Sequence, residues 1–299
     1  MTIEKTVIVK LGGAAITNKK GVCELVPKEQ LETLFDQVAL AYKELARSGH
    51  RMIIIHGAGS FGHPQAKKYH LKTGWKHQME LPSTSFVEGM AHIRTCLTQL
   101  HHAVLAGLTE RGVPTLGLSP IDYIETDDCE NTPTERYKPM LTRVNYYLDT
   151  GFVPVLHGDC VLDTTRGCTI LSGDVIMYQM AKLVPSTSRC LFITDVPGIY
   201  KADPKLNIPE SHELVQHILV KQLGEAAWTS QQAEVTDVTG GMQGKVNWAK
   251  KLVLLDRNLD VIICCCGSFE ALEMLKLGKS LDDLKKPLTG YSMTVFTRE

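Results

Sequence analysis

Residues 52–63 read M-I-I-I-H-G-A-G-S-F-G-H and join an apolar run to a glycine-rich turn. The run 52–55 predicts a buried strand, and the polar stretch that follows His63 predicts a helix. Glycines at such a turn let backbone N–H groups approach an anion without a Cβ in the way, and the next helix N-terminus adds positive potential. His63 places a titratable imidazole where a phosphate would sit. The stretch therefore predicts an anion-binding turn between a strand and a helix.

Apolar strands alternate with long helices along the rest of the chain. Residues 6–11 predict the first strand, residues 28–47 a helix that Gly49 ends, and residues 84–110 a second long helix. Further strands are predicted at 115–118, 152–156, 189–194, 261–266 and 293–296, a hairpin at 158–170, and helices at 174–183, 242–257 and 269–277. The polar segment 125–138 predicts an exposed loop or a hairpin extension. Single strands alternating with helices indicate an α/β protein with a mainly parallel sheet.

Length and composition limit the classes of protein that this chain can belong to. Its 299 residues can form one large domain or two lobes, and its formal net charge of −1 gives no field to attract nucleic acid or an anionic membrane. The N-terminus lacks the features of a signal peptide, and no run reaches the roughly 18 apolar residues that a bilayer span requires. We therefore expect a cytoplasmic protein with neither nucleic acid nor membrane as a partner.

The nine cysteines do not predict a disulfide framework, because their number is odd and their spacing uneven. Cys264, Cys265 and Cys266 continue an apolar run and would point to alternate faces of a strand. Three such side chains cannot by themselves close one tetrahedral metal site. We interpret them as small strand residues and predict no metal ligands in the chain.

Two further glycine turns accompany the one at 57–59. They are Gly12-Gly13, which follows the first strand, and Thr239-Gly240-Gly241, which precedes a predicted helix. Each turn alone is weak evidence, since turns commonly need glycine. Together they offer several groups of backbone N–H donors for a polyanion.

Lysines accompany these turns. Lys10 interrupts an otherwise apolar strand, Lys19 lies in the loop 17–20, and Lys245 comes four residues after Gly241. A solvated surface charge is the alternative for any single lysine, and it is the favoured interpretation of Lys20. Lys10 is different, because a charge is rarely buried without a partner. Positioned cations and backbone donors are what phosphoryl transfer requires.

The turn also matches the dinucleotide-binding pattern G-x-G-x-x-G through Gly57, Gly59 and Gly62. That fold requires a second strand ending in an acidic residue about 20 residues later. Glu80 stands near that distance, but no apolar strand leads to it, so we interpret the match as a false positive. A G-x-x-x-x-G-K-[ST] loop is also missing, which disfavours a P-loop kinase.

Five motifs occur in one order across nearly the whole chain: K-L-G-G at 10–13, the loop at 56–63, S-G-D at 172–174, T-D-V-P-G-I-Y at 194–200 and D-V-T-G-G-M at 237–242. This set resembles the amino acid kinase superfamily, and the S-F-G-H ending is similar to its isopentenyl phosphate kinase branch. The resemblance implies an open αβα sandwich with a mainly parallel central sheet. It implies an N-terminal lobe, residues 1–184, for the phosphate acceptor and a C-terminal lobe, residues 185–299, for ATP. A homodimer, Mg²⁺ and transfer of the ATP γ-phosphate to isopentenyl phosphate are also implied.

Position by position, the resemblance implies roles for individual residues. The catalytic residues would be Lys10, Lys19, His63, Asp174 and Lys245. Contacts to the acceptor would come from Ala58, His63 and Gly173. Contacts to ATP would come from Lys10, Gly12, Gly13, Gly59, Thr194, Asp195, Tyr200, Gly241 and Lys245. Ala14 departs from the family pattern, in which a serine usually follows K-L-G-G.

The chemistry of two reacting anions fits this set. Repulsion between the two phosphates amounts to several kcal/mol at ~4 Å and must be offset by nearby cations. An acceptor that is already ionised needs no general base, so we expect His63 to act as a charged donor. The helix that carries Phe86, Met90, Ile93 and Leu97 would form the wall for an apolar tail, although core or dimer packing explains each residue equally well.

Three other functions remain open from the sequence. A kinase of another small phosphate or phosphonate, such as fosfomycin, would share the histidine-bearing loop. A nucleotide-binding regulatory or storage module could keep the fold, although such a module would not need Lys10, Lys19, Asp174 and Lys245 together. A dehydrogenase is the third, and NAD binding would distinguish it.

Overall fold

The computed structural model describes residues 4–75, 82–202, 204, 208–221, 240–255, 259–278, 283 and 290–299. The strands are β1 (Thr6–Leu11), β2 (Arg51–His56), β3 (Thr115–Leu118), β4 (Val153–His157), β5 (Asp159–Asp163), β6 (Gly167–Leu171), β7 (Thr187–Thr194), β8 (His217–Val220), β9 (Asp260–Cys265) and β10 (Met293–Arg298). The α-helices are α1 (Gly13–Ile16), α2 (Lys28–Arg47), α3 (His63–Lys68), α4 (Thr84–Thr109), α5 (Lys138–Asp149), α6 (Gly173–Leu183), α7 (Gly240–Val253) and α8 (Phe269–Leu275).

Eight of these strands form one sheet in the order β3-β4-β2-β1-β7-β9-β10-β8. Neighbouring strands are parallel, with β9 and β10 as the antiparallel pair. Strands β5 and β6 form a separate hairpin. The prediction of a mainly parallel central sheet is confirmed.

Helices cover both faces of the sheet, and the alternation along β1 shows how. Val7, Val9 and Leu11 belong to a core shared with α2, α4 and α8. Ile8 belongs to a second core shared with α5, α6 and α7. Because successive strand residues point to opposite faces, Lys10 lies on the same side as Ile8, the side of α6. The result is the predicted αβα sandwich.

Parallel pairing brings the carboxyl ends of four strands to one edge of the sheet. In register, Leu11 of β1 lies between His56 of β2 and Ile193 of β7, and His56 in turn pairs with His157 of β4. The loops that follow these strands therefore lie side by side. In open α/β sheets this edge is where ligands bind.

Most predicted elements are confirmed, and α2 has the predicted bounds. The sequence analysis missed α5, although Met140, Val144 and Leu148 are buried at the i, i+4, i+8 spacing of a helix face. Pro139 and the polar segment before it masked that signal. It also missed β8, which is too short at four residues for a periodic pattern. Among the described helices, none has both the length and the hydropathy of a membrane span.

Candidate active site

The loops after β1 and β2 touch backbone to backbone, and only glycine permits this. A Cβ on Gly13 would lie 2.6 Å from the Gly59 nitrogen, and one on Gly57 would lie 2.6 Å from the Gly13 nitrogen. Gly59 also has a φ of +49°, which other residues rarely adopt. Thr17 joins the two loops, because its Oγ1 donates to the Gly13 carbonyl at 2.8 Å and accepts from the Ser60 N–H at 3.0 Å. The two loops thus form one rigid unit.

Four backbone N–H groups of this region have no hydrogen-bond partner within the described part of the chain. They belong to Gly13, Ala58, Gly59 and Gly173. Gly13 and Gly173 are the first residues of α1 and α6, where N–H groups have no partner inside the helix. Such a group of donors matches the oxygens of a phosphate.

Lys10 and Asp174 form a buried ion pair beside these donors. The Lys10 Nζ lies 2.9 Å from Asp174 Oδ1 and 5.9 Å from the centre of the Phe192 ring. Only 6% of Lys10 is exposed. Ser172 begins α6 by accepting the Asp174 N–H on its Oγ at 3.1 Å, which fixes the carboxylate at the helix start. The buried charge on β1 therefore has the partner that the sequence required.

A second ion pair joins Lys19 to Asp195 at the end of β7. The Lys19 Nζ lies 2.5 Å from Asp195 Oδ2, and Thr194 Oγ1 donates to Asp195 Oδ1 at 3.1 Å. Burial opposes ionisation of Asp195, but the hydrogen bond and the charge of Lys19 outweigh it and lower its pKa below the usual value. The pair brings together residues 176 positions apart in the sequence.

Lys245 and His63 lie close enough to these ion pairs for the neighbouring charges to shift the pKa of both side chains. Burial lowers the pKa of Lys245, the charge of Lys10 lowers it further, and Asp174 and Asp195 oppose the shift. Burial by surrounding protein atoms also lowers the pKa of His63, with Lys10 and Lys245 adding to the effect. Lys10, Lys19, His63 and Lys245 therefore converge on one region.

These shifts describe the charge of His63 when no anion is bound. The sequence analysis expected a charged imidazolium, but in the absence of an anion the lowered pKa leaves the ring neutral at pH 7. The main reason is burial of the ring, and the charges of Lys10 and Lys245 add to it. A neutral imidazole still donates one N–H, and a bound phosphate dianion would raise its pKa again.

Three further residues, Gly12, Tyr200 and Gly241, were predicted to contact ATP. Gly12 donates its N–H to the Ile193 carbonyl at 2.8 Å, so it contributes close packing against β7 and no free donor. Tyr200 pairs with Leu214 through a β-bridge beyond β7. Gly241 lies in the first turn of α7, near Lys245. The motif residues 237–239 and Glu80 lie outside the described residues.

The G-x-G-x-x-G match is a false positive, as the sequence analysis predicted. After Gly62 the chain enters α3, a helix of six residues, and then α4. The next described strand is β3, which starts at Thr115. A dinucleotide-binding unit would return to the sheet far sooner.

Replacing Gly13 with alanine is expected to lower kcat by at least about 100-fold. The new Cβ would push the two loops apart and displace the free donors, and losing one such donor costs about that factor. Steady-state kinetics measure the change. Gly112→Ala is the matched control, since Gly112 has a φ of +78° and open space around it. We expect it to lose stability and keep kcat, and equal kcat losses in the two variants would contradict the interpretation.

Three histidines beneath the loops were not recognised as a group from the sequence. His56 Nε2 lies 2.9 Å from His101 Nδ1, and the rings of His56, His101 and His157 are in mutual contact. Burial, the main cause, lowers the pKa of His101 to about 4 and that of His157 to about 3. The available signal was that His56 and His157 each end a strand and precede a glycine. We call these residues the histidine cluster.

The histidine cluster predicts a loss of stability in mild acid. The folded-state pKa values lie below the unfolded value near 6.5, so the stabilisation is complete above pH 6.5 and is lost as the pH falls toward 4. At pH 5 the loss is about 2 kcal/mol for each of the two rings, His101 and His157. Urea unfolding at pH 7.5 and pH 5 measures it. We expect His101→Gln to reduce the difference, and an equal unfolding free energy of the wild type at both pH values would refute the prediction.

Comparison with known proteins identifies the family. A family model described as the amino acid kinase family matches residues 5–265. The chain belongs to the amino acid kinase family. As an amino acid kinase it uses ATP as co-substrate.

Two curated relatives, both named isopentenyl phosphate kinase, align with most of this amino acid kinase. One, from Arabidopsis thaliana, is 32% identical over 300 residues and covers 86% of each chain. The other, from Haloferax volcanii, is 34% identical over 252 residues, which is 83% of this chain and 88% of the relative. These matches place the chain in the isopentenyl phosphate kinase branch. A solved structure reported under "X-ray structures of isopentenyl phosphate kinase" has a TM-score of 0.70 at 24% identity over 98% of this chain and 100% of its own, which supports the fold.

Proposed function

We propose that this protein transfers the γ-phosphoryl group of ATP to isopentenyl phosphate and releases isopentenyl diphosphate and ADP. One observation carries the proposal: the donors and cations of the site adjoin an apolar cluster. Ala58, whose N–H is free, packs against that cluster. The site can therefore hold a phosphate and a short hydrocarbon tail at the same time. The curated relatives support the same acceptor.

The apolar cluster has the composition that a prenyl tail requires. Its buried members are Leu71, Ile93, Leu97, Cys160 and Cys168, and Ala58, Ala66, Tyr69, Trp75, Phe86, Met90 and Ile170 pack against them. The rings of Trp75 and Phe86 meet edge to face at 5.2 Å. Burying the five-carbon tail against such side chains contributes about 3 kcal/mol to binding. The wall that the sequence placed on the second long helix is part of this cluster.

In the proposed reaction an ionised oxygen of isopentenyl phosphate attacks the γ-phosphorus. The new P–O bond forms as the bond to the β–γ bridging oxygen breaks, and ADP leaves with that electron pair. Lys10, Lys245 and the N–H groups of Gly13 and Gly59 neutralise the moving phosphoryl group. No proton has to be removed from the acceptor, so the site needs no general base.

In this proposal a second set of donors holds the acceptor phosphate, on the side away from ATP. His63 donates an imidazole N–H, while Ala58 and Gly173 donate backbone N–H groups. Asp174 keeps the Lys10 ammonium on the α6 side, and the Lys19–Asp195 pair lies toward the nucleotide. In this proposal residues 1–184 supply the acceptor lobe and residues 185–299 the ATP lobe.

Mg²⁺ is implied by kinase chemistry, but the residues of the site do not form a cage for it. Within the described ranges, no three His, Cys, Asp or Glu side chains are grouped as a metal site. Asp174 and Asp195 each face a lysine. We propose that Mg²⁺ is bound through the phosphate oxygens of the nucleotide. A homodimer stays a prediction from the family resemblance, and a cytoplasmic location stays a prediction from the sequence.

The test is ADP release with a panel of acceptors at fixed Mg·ATP: isopentenyl phosphate, fosfomycin and no acceptor. We expect rapid release with isopentenyl phosphate, and mass spectrometry should show isopentenyl diphosphate. Rapid turnover of fosfomycin with none of isopentenyl phosphate would reject the proposal. ATP binding without turnover of any acceptor would instead indicate a binding module.

A further inference from the structure

His56 lies directly below the loop that carries the free N–H of Ala58. It is the last residue of β2 and is fully buried. Its ring contacts the rings of His101 from α4 and His157 from β4. None of these rings has a role in the transfer described above, and a buried imidazole is costly to desolvate. The presence of three buried imidazole rings beneath an anion-binding loop therefore suggests that they serve the loop.

The hydrogen bonds fix which nitrogen of His56 carries the proton. His56 Nδ1 lies 3.1 Å from the Gly57 carbonyl oxygen, which can only accept, so Nδ1 must carry the hydrogen. In the neutral ring Nε2 is then an acceptor, and the Nδ1–H of His101 donates to it at 2.9 Å. The Gly57 carbonyl thus sets the tautomer of His56, and His101 supplies the matching donor on the other side of the ring.

His157 repeats the arrangement on the neighbouring strand. Its Nδ1 lies 3.0 Å from the Gly158 carbonyl oxygen, and its Nε2 accepts from the Ser119 hydroxyl at 3.1 Å. Both histidines therefore tie down the carbonyl of the glycine that follows them. The two glycines differ in the residue that follows each of them. Asp159, after Gly158, begins β5 of the hairpin, whereas Ala58, after Gly57, begins the anion-binding loop.

We propose that His56 is a positioning residue for phosphoryl transfer, acting through the Gly57–Ala58 peptide. In a trans peptide the C=O and the following N–H point in opposite directions, and the described residues contain no cis bond. When His56 holds the Gly57 carbonyl toward the core, the Ala58 N–H must face away from it, toward the phosphates. The inference rests on the proposed function, since it assigns that N–H to the reacting anions.

Two amide substitutions separate this role from simple packing. His56→Asn keeps a donor the same number of bonds from Cα as Nδ1, so it can still hold the Gly57 carbonyl, but it loses the partner of His101. His56→Gln keeps a group at the distance of Nε2 for His101, but its amide lies one bond further from Cα than Nδ1, so no donor stands at the position that holds the Gly57 carbonyl. We expect His56→Gln to lower kcat about 100-fold with the KM for ATP within about threefold, and His56→Asn to stay within about fivefold of wild type.

His157→Gln is the matched control. It removes the corresponding hydrogen bond to the Gly158 carbonyl, and the His157 ring is as buried as that of His56. We expect it to lower the urea midpoint while kcat stays within about fivefold of wild type. All variants are assayed where each is fully folded. Equal losses of kcat in His56→Asn and His56→Gln, or a loss in His157→Gln as large as in His56→Gln, would overturn the positioning role.

A binding readout keeps this test separate from the identity of the acceptor. Pyrophosphate is titrated into ¹⁵N-labelled protein, and the Ala58 amide resonance is followed. We expect it to shift in the wild type and in His56→Asn but not in His56→Gln. The same shift in all three proteins would refute the inference, whereas a wild type that shifts but does not phosphorylate isopentenyl phosphate would refute the proposed function alone.

Discussion

Lys10→Met is expected to lower kcat by about 1000-fold or more. The variant keeps most of the length of the side chain but removes the cation that, in the proposed reaction, faces the transferring phosphoryl group, and a cation in that role contributes such factors to phosphoryl transfer. It also leaves the Asp174 carboxylate, whose side chain is only 15% exposed, without its partner at 2.9 Å. We therefore expect a loss of about 3 kcal/mol in the free energy of unfolding as well. Stopped-flow or steady-state ADP release measures the first effect, and urea unfolding the second.

The double variant Lys10→Met/Asp174→Asn separates these two effects. Asparagine removes the unpaired charge while keeping the shape of the side chain, so most of the lost stability should return. Activity should not return, because the cation is still missing. If the double variant recovered activity together with stability, Lys10 would be a folding residue and its catalytic assignment would be wrong.

His63→Ala is expected to lower kcat for isopentenyl phosphate by about 100-fold, with ATP affinity within about threefold of wild type. The imidazole donates to the acceptor phosphate in this account, and losing one such donor costs about that factor in the transition state. His102→Ala is the matched control, because His102 is an exposed histidine on α4. We expect the control to behave as wild type, and turnover by His63→Ala at the wild-type rate would contradict the assignment.

Since His63 is neutral when no anion is bound, a neutral donor at this position is a useful second variant for the same experiment. Because burial, with Lys10 and Lys245 adding to it, lowers the pKa of His63, the ring N–H is available as a donor in the neutral state as well as in the charged one. His63→Gln keeps an N–H donor at a similar reach without any titration near neutral pH. We expect it to recover at least about tenfold of the activity that His63→Ala loses. Identical kcat values for the glutamine and alanine variants would show that a hydrogen bond from residue 63 is not what the acceptor requires.

The sequence predicted the sheet and the lysines because their signals are local. A charge inside the apolar run of β1 needs a buried partner, and the structure supplies Asp174. The long helix α2 has a clear periodicity and a glycine after its end. Glycine in both loops is compatible with a close approach of Gly13 and Gly59, but the sequence did not show that a Cβ on Gly13 would lie only 2.6 Å from the Gly59 nitrogen.

The rest depended on tertiary contacts that no local pattern encodes. The Lys19–Asp195 pair joins two loops from opposite halves of the chain. Gly12 was predicted to be a donor, but parallel pairing with β7 uses its N–H. The tautomer of His56 follows only from the positions of His101 and Gly57. The lowered pKa of His63 follows from burial of its ring, with Lys10 of β1 and Lys245 of α7 adding to the effect.

A crystal structure with a non-hydrolysable ATP analogue, Mg²⁺ and isopentenyl phosphate tests the central claim most directly. We predict that the γ-phosphate and the acceptor phosphate lie next to each other, with Lys10 and Lys245 on the first, His63 on the second and the Ala58 N–H within hydrogen-bond distance of one of them. The apolar tail should lie against Phe86, Met90 and Ile93. Two phosphates bound apart from each other, or an acceptor phosphate bound away from His63, would contradict the account.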